Sequence, residues 1–311
     1  MPLSEFSLIT RFFRQKKVNN PFTQLGIGDD CALLSIPEGY SLAVTTDTMV
    51  ENVHFFADAD PEQLGHKLLA VNLSDLASMG AKPVSVMLAL TLPHIDKNWL
   101  SAFSKGFLAL AEQYSVDLIG GDTTSGPLTL TVQAMGLVPK NKALLRSAAK
   151  PGDFIYVTGF LGDAGLGLKI KQGYPCKKPH LALERFNKPN PQVAAGMELI
   201  EVAAACIDIS DGLASDLGHI LEQSSVGACL DWDALPLSGS VVDYINETGD
   251  WTMPLTAGDD YELCFTISED KALTLTGSYT KIGVIEKSLG LRLSKAGIIQ
   301  PFSNRGYEHF S

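Results

Sequence analysis

The sequence predicts a two-domain α/β (α+β) protein: an N-terminal mixed sheet with helices packed on it, then a C-terminal α/β domain. Three observations carry this. Segments alternating with period two take turns with segments whose apolar residues recur every three or four positions. A chain of 311 residues, 45% hydrophobic and 19% charged, is long and apolar enough for two ordinary cores. Ala148-Ala-Lys-Pro-Gly-Asp153 is a turn-rich break near the middle, dividing 1–148 from 149–311.

In the first half, Leu42 and Val44 alternate with Ala43 and Thr45 in a half-buried strand that turns polar at Asp47. Pro61 opens a helix with Leu64, Leu68, Val71, Leu76 and Met79 near one face, and Gly80 is placed to end it. Residues 84–92 alternate as a strand. Residues 96–114 are helical, with Phe103, Phe107, Leu110 and Tyr114 at i, i+4, i+7 and i+11. A short strand at 116–119 runs into Gly120-Gly-Asp-Thr-Thr124, and 128–138 alternates again. The order is β-α-β-α-β-β.

The second half starts with a strand at 154–158. Helices follow at 163–172 and 192–204, a buried-type strand at 205–209, and a helix at 213–223 capped by Ser210 or Asp211. Strands are expected near 228–231, 262–267 and 281–286. The proline- and base-rich segment 174–190 reads as a surface excursion.

Composition excludes several function classes. There are 24 Lys and Arg against 35 Asp and Glu, a net charge of −11 that argues against nucleic acid as a partner. Five dispersed cysteines without a CxxC pair suit a reducing cytoplasm and support neither a disulfide framework nor a zinc site. No signal peptide is evident, and no run approaches the roughly 20 apolar residues of a membrane span. A soluble cytoplasmic protein is expected.

The acids are grouped where chemistry needs them. Asp29-Asp30 follow a glycine-flanked turn, and Asp47 closes a strand. Asn72-Leu-Ser-Asp75, Gly120-Gly-Asp122 and Asp208-Ile-Ser-Asp211 each sit at a predicted element end. Carboxylates and threonine hydroxyls are hard oxygen ligands, suited to Mg²⁺. The expectation is a Mg²⁺-nucleotide site assembled from scattered acids. Asp75 lies in the last turn of its helix, unfavourable against the macrodipole unless a cation compensates, or else it is a solvated surface acid. Asp211 reads equally as an ordinary helix cap. The glycines of 159–167 are either a phosphate loop or a place of close helix packing; their spacing is not GxGxxG, and no P-loop or kinase motif occurs. His54 is an isolated imidazole, structural or functional. Arg146 is a guanidinium able to grip a phosphate or to sit in a surface ion pair.

GIGDDCALL, LAVTTDTMVENVHF, VNLSDLASMGAKP, LIGGDTT, RSAAKPGDFIYVTG, IDISDGL and DDYELCF occur in one order over nearly the whole chain. In this the sequence resembles the thiamine-monophosphate kinase family, within a superfamily that includes aminoimidazole ribonucleotide synthetase, selenophosphate synthetase and a hydrogenase maturation factor. The resemblance implies two α/β domains, N-terminal domains paired in a homodimer around a shared β-barrel, and ATP with several Mg²⁺ ions in an acidic cleft. Position by position it implies metal ligation by Asp30, Thr45, Thr46, Asp47, Asp75, Asp122, Asp208 and Asp211. It implies nucleotide contacts at Gly121, Asp122, Arg146 and Ser210, and substrate contacts at His54, Asp259 and Tyr307. No protein group is a covalent catalyst in this scheme. Ala257-Gly-Asp-Asp260 stands where the family has GGED, so Asp259 is one methylene shorter than the usual glutamate. The reaction implied is direct, in-line transfer of the ATP γ-phosphoryl group to thiamine monophosphate. Rival readings are another ATP-dependent member of the superfamily and a non-catalytic Mg²⁺-nucleotide-binding regulator. The Cys/selenocysteine–Lys pair expected of selenophosphate synthetase and the C-terminal cysteine of the maturation factor are both lacking.

Overall fold

The structure, a computed structural model, describes residues 5–14, 20–303 and Gly306. The chain divides into two compact units, Met1–Leu76 with Ala81–Asn141, and Ala77–Gly80 with Lys142–Ser311.

The first unit runs α1 (Glu5–Phe12), β1 (Thr23–Leu25), β2 (Leu33–Leu34), β3 (Tyr40–Val50), α2 (Pro61–Ser78), β4 (Lys82–Leu92), α3 (Lys97–Gln113), β5 (Asp117–Ser125) and β6 (Thr129–Pro139). Strands β3-β6-β4-β5 form a four-stranded sheet in that order. Only β4 and β5 are parallel; the other neighbours are antiparallel. The expected β-α-β-α-β-β order is the observed one from β3 to β6. Asp96 caps α3, its carboxylate accepting the N–H groups of Asn98 and Trp99. Phe103 and Phe107 of α3 are fully buried, as their spacing requires.

Two features depart from the sequence reading. The glycine-acid motif 120–124 does not follow the end of a strand but lies inside β5, just past a bulge against β4. The glycines serve close backbone approach: at Gly121, φ is +150° and a Cβ would stand 1.8 Å from the Leu88 carbonyl oxygen. The small β1–β2 hairpin was not expected, because strands of three and two residues are too short to show a period. Phe22, Ala32 and Leu34 of this region pack against Val84, Ile119, Met135 and Leu137. Farther along β3, Tyr40, Leu42 and Val44 share a sheet face that is left exposed, and Val44 is 53% accessible.

The second unit runs β7 (Phe154–Val157), α4 (Asp163–Lys171), α5 (His180–Asn187), α6 (Val193–Leu199), β8 (Ala205–Asp208), α7 (Leu213–Ser224), β9 (Gly227–Asp231), α8 (Gly239–Thr248), α9 (Met253–Thr256), β10 (Leu263–Ile267), α10 (Glu269–Ala272), β11 (Thr280–Glu286), β12 (Gly290–Lys295) and β13 (Ile298–Pro301). Its seven-stranded sheet has the order β13-β12-β9-β11-β7-β10-β8. Every residue of β10 is buried, which is why Leu263-Cys-Phe-Thr-Ile267 shows no polar alternation. Both β7 and β8 pair antiparallel with β10. The ends of β7 and β8 and the start of β10 therefore share one edge of the sheet.

Here too the structure corrects the reading. The segment 174–190 is no mere excursion: α5 lies within it and buries Ala182 and Phe186. The helix expected over 192–204 stops at Leu199, where the chain turns so that Ala204 N–H can reach Thr266 O. Neither Ser210 nor Asp211 caps α7. Gly212 holds the cap position without a side-chain bond, and Asp216, within the helix, accepts the N–H groups of residues 210–212 just before it.

Candidate active site

In the first unit the expected ligands are spread over a turn, a strand pair and a helix. Asp30 is exposed, its N–H donating to Asp29 Oδ1. Thr45 and Asp47 project from the same side of β3. Thr45 Oγ1 donates to Asp75 Oδ2 across 2.5 Å, so the sheet and α2 bring that hydroxyl and carboxylate together. Thr46 points the other way and donates to Val132 O at 3.0 Å. Asp122 is exposed on β5, its Oδ1 accepting the Thr123 N–H. Strands β3 and β5 are the two edges of the sheet, so Asp47 and Asp122 stand three strand spacings apart, roughly 14 Å. The first unit thus joins Thr45 with Asp75 but does not join Asp47 with Asp122. His54 accepts the Val50 N–H on Nδ1 at 3.0 Å, which puts the proton of its neutral ring on Nε2.

In the second unit the candidates converge at the shared sheet edge. Asp208 ends β8 and is buried, while Ser210 and Asp211 follow half-buried. Asp216 Oδ2 accepts three successive backbone N–H groups, from Ser210, Asp211 and Gly212, at 2.9, 3.0 and 3.1 Å. This carboxylate shapes the loop bearing the candidate ligands. Burial pushes Asp216 up to about 7, and the Asp211 charge adds to that, while the three N–H donors pull the other way. Asp259 N–H donates to Ser210 O at 2.9 Å, which ties the candidate substrate residue to the same loop. A Cβ at Gly306 would lie 2.0 Å from Asp211 O, so the chain just before Tyr307 passes directly against this loop. Tyr307 itself lies outside the described residues. Arg146 is not brought to this end. It is exposed in a 3₁₀ turn whose carbonyl accepts the Ser224 hydroxyl, at the far end of α7, roughly 18 Å along a 12-residue helix.

The sequence reading missed a buried acid group beside these loops. Asp260 accepts the N–H groups of Gly162 and Ala164, at 2.8 and 3.4 Å, and so occupies the N-terminus of α4. That decides the 159–167 glycines in favour of close packing over a phosphate loop. Glu262 accepts the Thr158 hydroxyl at 2.5 Å and lies 3.5 Å from Arg185. Asp163 accepts the Ser238 hydroxyl at 2.6 Å. Burial raises the pKa of all three acids. A signal for Asp216 was present: with Leu213, Leu217 and Ile220 it falls on the apolar stripe of α7, where an acid is unexpected. Glu262, beside the apolar run of β10, carried a similar one.

Among the described residues, no three His, Cys, Asp or Glu side chains are grouped to hold a metal ion. Mg²⁺ keeps several waters and is usually held by one or two carboxylates plus substrate phosphates rather than by an all-protein cage. The candidate ligands are carboxylates and threonine hydroxyls throughout, so the donor chemistry fits.

Comparison with known proteins agrees with this architecture. Residues 28–138 match the family described as AIR synthase related protein, N-terminal domain. The chain is 45% identical to thiamine-monophosphate kinase of Salmonella typhimurium, over 100% of this chain and 99% of that one. A crystal structure of thiamine-monophosphate kinase from Stenotrophomonas maltophilia superposes with a TM-score of 0.81 at 42% identity, covering 88% of this chain and 91% of that one. A structure of AaThiL complexed with AMPPCP and TMP does so with a TM-score of 0.79 at 28% identity, covering 100% and 99%. Fold and sequence similarity together define an ATP-using enzyme built on an AIR synthase-related domain. Within that class, the chain belongs to the thiamine-monophosphate kinase family, and it is a kinase.

Proposed function

We propose that this kinase transfers the γ-phosphoryl group of ATP directly to thiamine monophosphate, giving thiamine diphosphate and ADP. The observation that carries the reading is a candidate ligand set made only of carboxylate and hydroxyl oxygens, on a chain that matches this family end to end. A phosphate monoester is already mostly ionised at neutral pH, so the acceptor needs no strong base. The obstacle is repulsion between two phosphates. Mg²⁺, when bound, supplies the neutralising charge. Its candidate ligands are Asp30, Thr45, Thr46, Asp47, Asp75, Asp122, Asp208 and Asp211. Gly121, Asp122, Arg146 and Ser210 are the candidate nucleotide contacts, although Arg146 stands at the far end of α7 from the Ser210 loop. His54 offers its Nε2–H, Asp259 a charge opposite to that of a cationic ring, and Tyr307 a stacking face.

The division of labour follows the chain: 1–148 binds metal and ATP and dimerises, and 149–311 completes the machinery. The exposed face of Tyr40, Leu42 and Val44 supports a homodimer in which two four-stranded sheets close into a shared β-barrel. No helix among the described residues is long and apolar enough to cross a membrane. Use of ATP, and five cysteines that are all free, support a cytoplasmic location.

The test is a chase with γ-labelled ATP, Mg²⁺ and thiamine monophosphate, resolved by chromatography. Label should move into thiamine diphosphate in step with ADP. Label found only in inorganic phosphate would reject a kinase in favour of a phosphate-releasing synthetase. No ADP at all would leave a binding protein.

A further inference from the structure

We infer that Tyr261 is a positioning residue that sets the side-chain rotamer of Asp259 and so contributes to selection of a cationic acceptor. The inference rests on reading Asp259 as a substrate contact. The Tyr261 hydroxyl donates to Asp259 Oδ1 at 3.1 Å. Both residues are left-handed without being glycine, with φ of +70° at Asp259 and +49° at Tyr261. Such a conformation is unfavourable for a side-chain-bearing residue and persists only where the surroundings over-determine it. Here they do. Asp259 N–H donates to Ser210 O at 2.9 Å, Tyr261 N–H to Ile209 O at 2.8 Å, and Ile209 N–H to Glu262 O at 2.8 Å. Three backbone bonds thus pin the 259–262 segment to the loop that carries Ser210 and Asp211. The turn brings the tyrosine hydroxyl back onto a carboxylate two residues earlier. An aspartate side chain has a single methylene and two rotatable bonds, so one such bond holds the acid in place. The hydroxyl is therefore more than a neighbour: it fixes where the negative charge stands relative to the 208–211 loop.

The experiment is a two-by-two cycle of wild type, Tyr261→Phe, Asp259→Gly and the double variant, with kcat and both KM values measured. Glycine adopts φ near +70° without strain, so Asp259→Gly removes the carboxylate while leaving the turn able to fold. Tyr261→Phe should raise KM for thiamine monophosphate about fivefold, the scale of one hydrogen bond, with kcat and KM for ATP unchanged. In the Asp259→Gly background the same change should have no further effect. An undiminished effect in that background, an unaltered KM in Tyr261→Phe, or a loss confined to kcat would each overturn the positioning role. If Asp259→Gly alone leaves KM for thiamine monophosphate unchanged, the substrate reading of Asp259 falls, and the inference with it.

Discussion

The residues that distinguish the second unit are acids in places where acids are costly. Asp163, Asp260 and Glu262 are almost fully buried, with one guanidinium, Arg185, close to Glu262. Burial raises their pKa values, so the folded unit binds more protons than the unfolded chain above the ordinary carboxylate range. The associated stability is fully present below that range and is lost as pH rises through the raised values. Asp216, at about 7, extends the window to neutrality. The melting temperature should therefore decline as pH rises from about 5 to about 8. Asp163→Asn keeps an oxygen for the Ser238 hydroxyl but cannot ionise, and it should make that decline shallower. Equal slopes for wild type and variant would show that folding does not raise the Asp163 pKa.

At the scale of elements, the informative pair is β5 and α7. Strand β5 carries Asp122 only because Gly121 lets its backbone pass the Leu88 carbonyl. Gly121→Ala meets both a steric clash within the sheet and an unfavourable φ, and should destabilise the protein by about 3 kcal/mol in urea titration. Gly39 is a matched control, with φ of +85° and nothing within 4 Å of an added Cβ. Alanine there should cost only about 1 kcal/mol. Similar losses at the two sites would mean that close approach at Gly121 is not what requires glycine. Helix α7 shows the complementary case: its start has no side-chain cap, and a carboxylate inside the helix holds the loop before it.

For the whole molecule, the first unit's sheet has an unfinished face. Leu42 and Val44 are 38% and 53% accessible on a strand otherwise paired along its full length with β6. If that face closes against a second copy, dissociation and unfolding are one event, and Val44→Asp should shift sedimentation from dimer to monomer with loss of folded structure. A Val44→Asp protein that remains dimeric would place the interface elsewhere, and a stable, active wild-type monomer would remove the dimer altogether.

What the sequence by itself determined is whatever leaves a local, periodic trace. The strands 84–92 and 128–138, the helices opening at Pro61 and Asp96, and the order β-α-β-α-β-β all follow from alternation and i, i+3, i+4 spacing. The ordered motifs likewise sufficed to indicate the family, and the grouped acids to indicate oxygen-ligand chemistry. Tertiary structure decided the rest, because the deciding forces act between residues far apart in the chain. Only the sheet shows that Gly120 and Gly121 belong inside β5, because the clash that Gly121 avoids is with Leu88 on another strand. Only the fold brings Asp260 to the start of α4, nearly a hundred residues away, and so removes the phosphate loop. Thr45 meets Asp75 while Asp47 and Asp122 are held at opposite edges, since strand order is set by long-range pairing that no local spacing encodes.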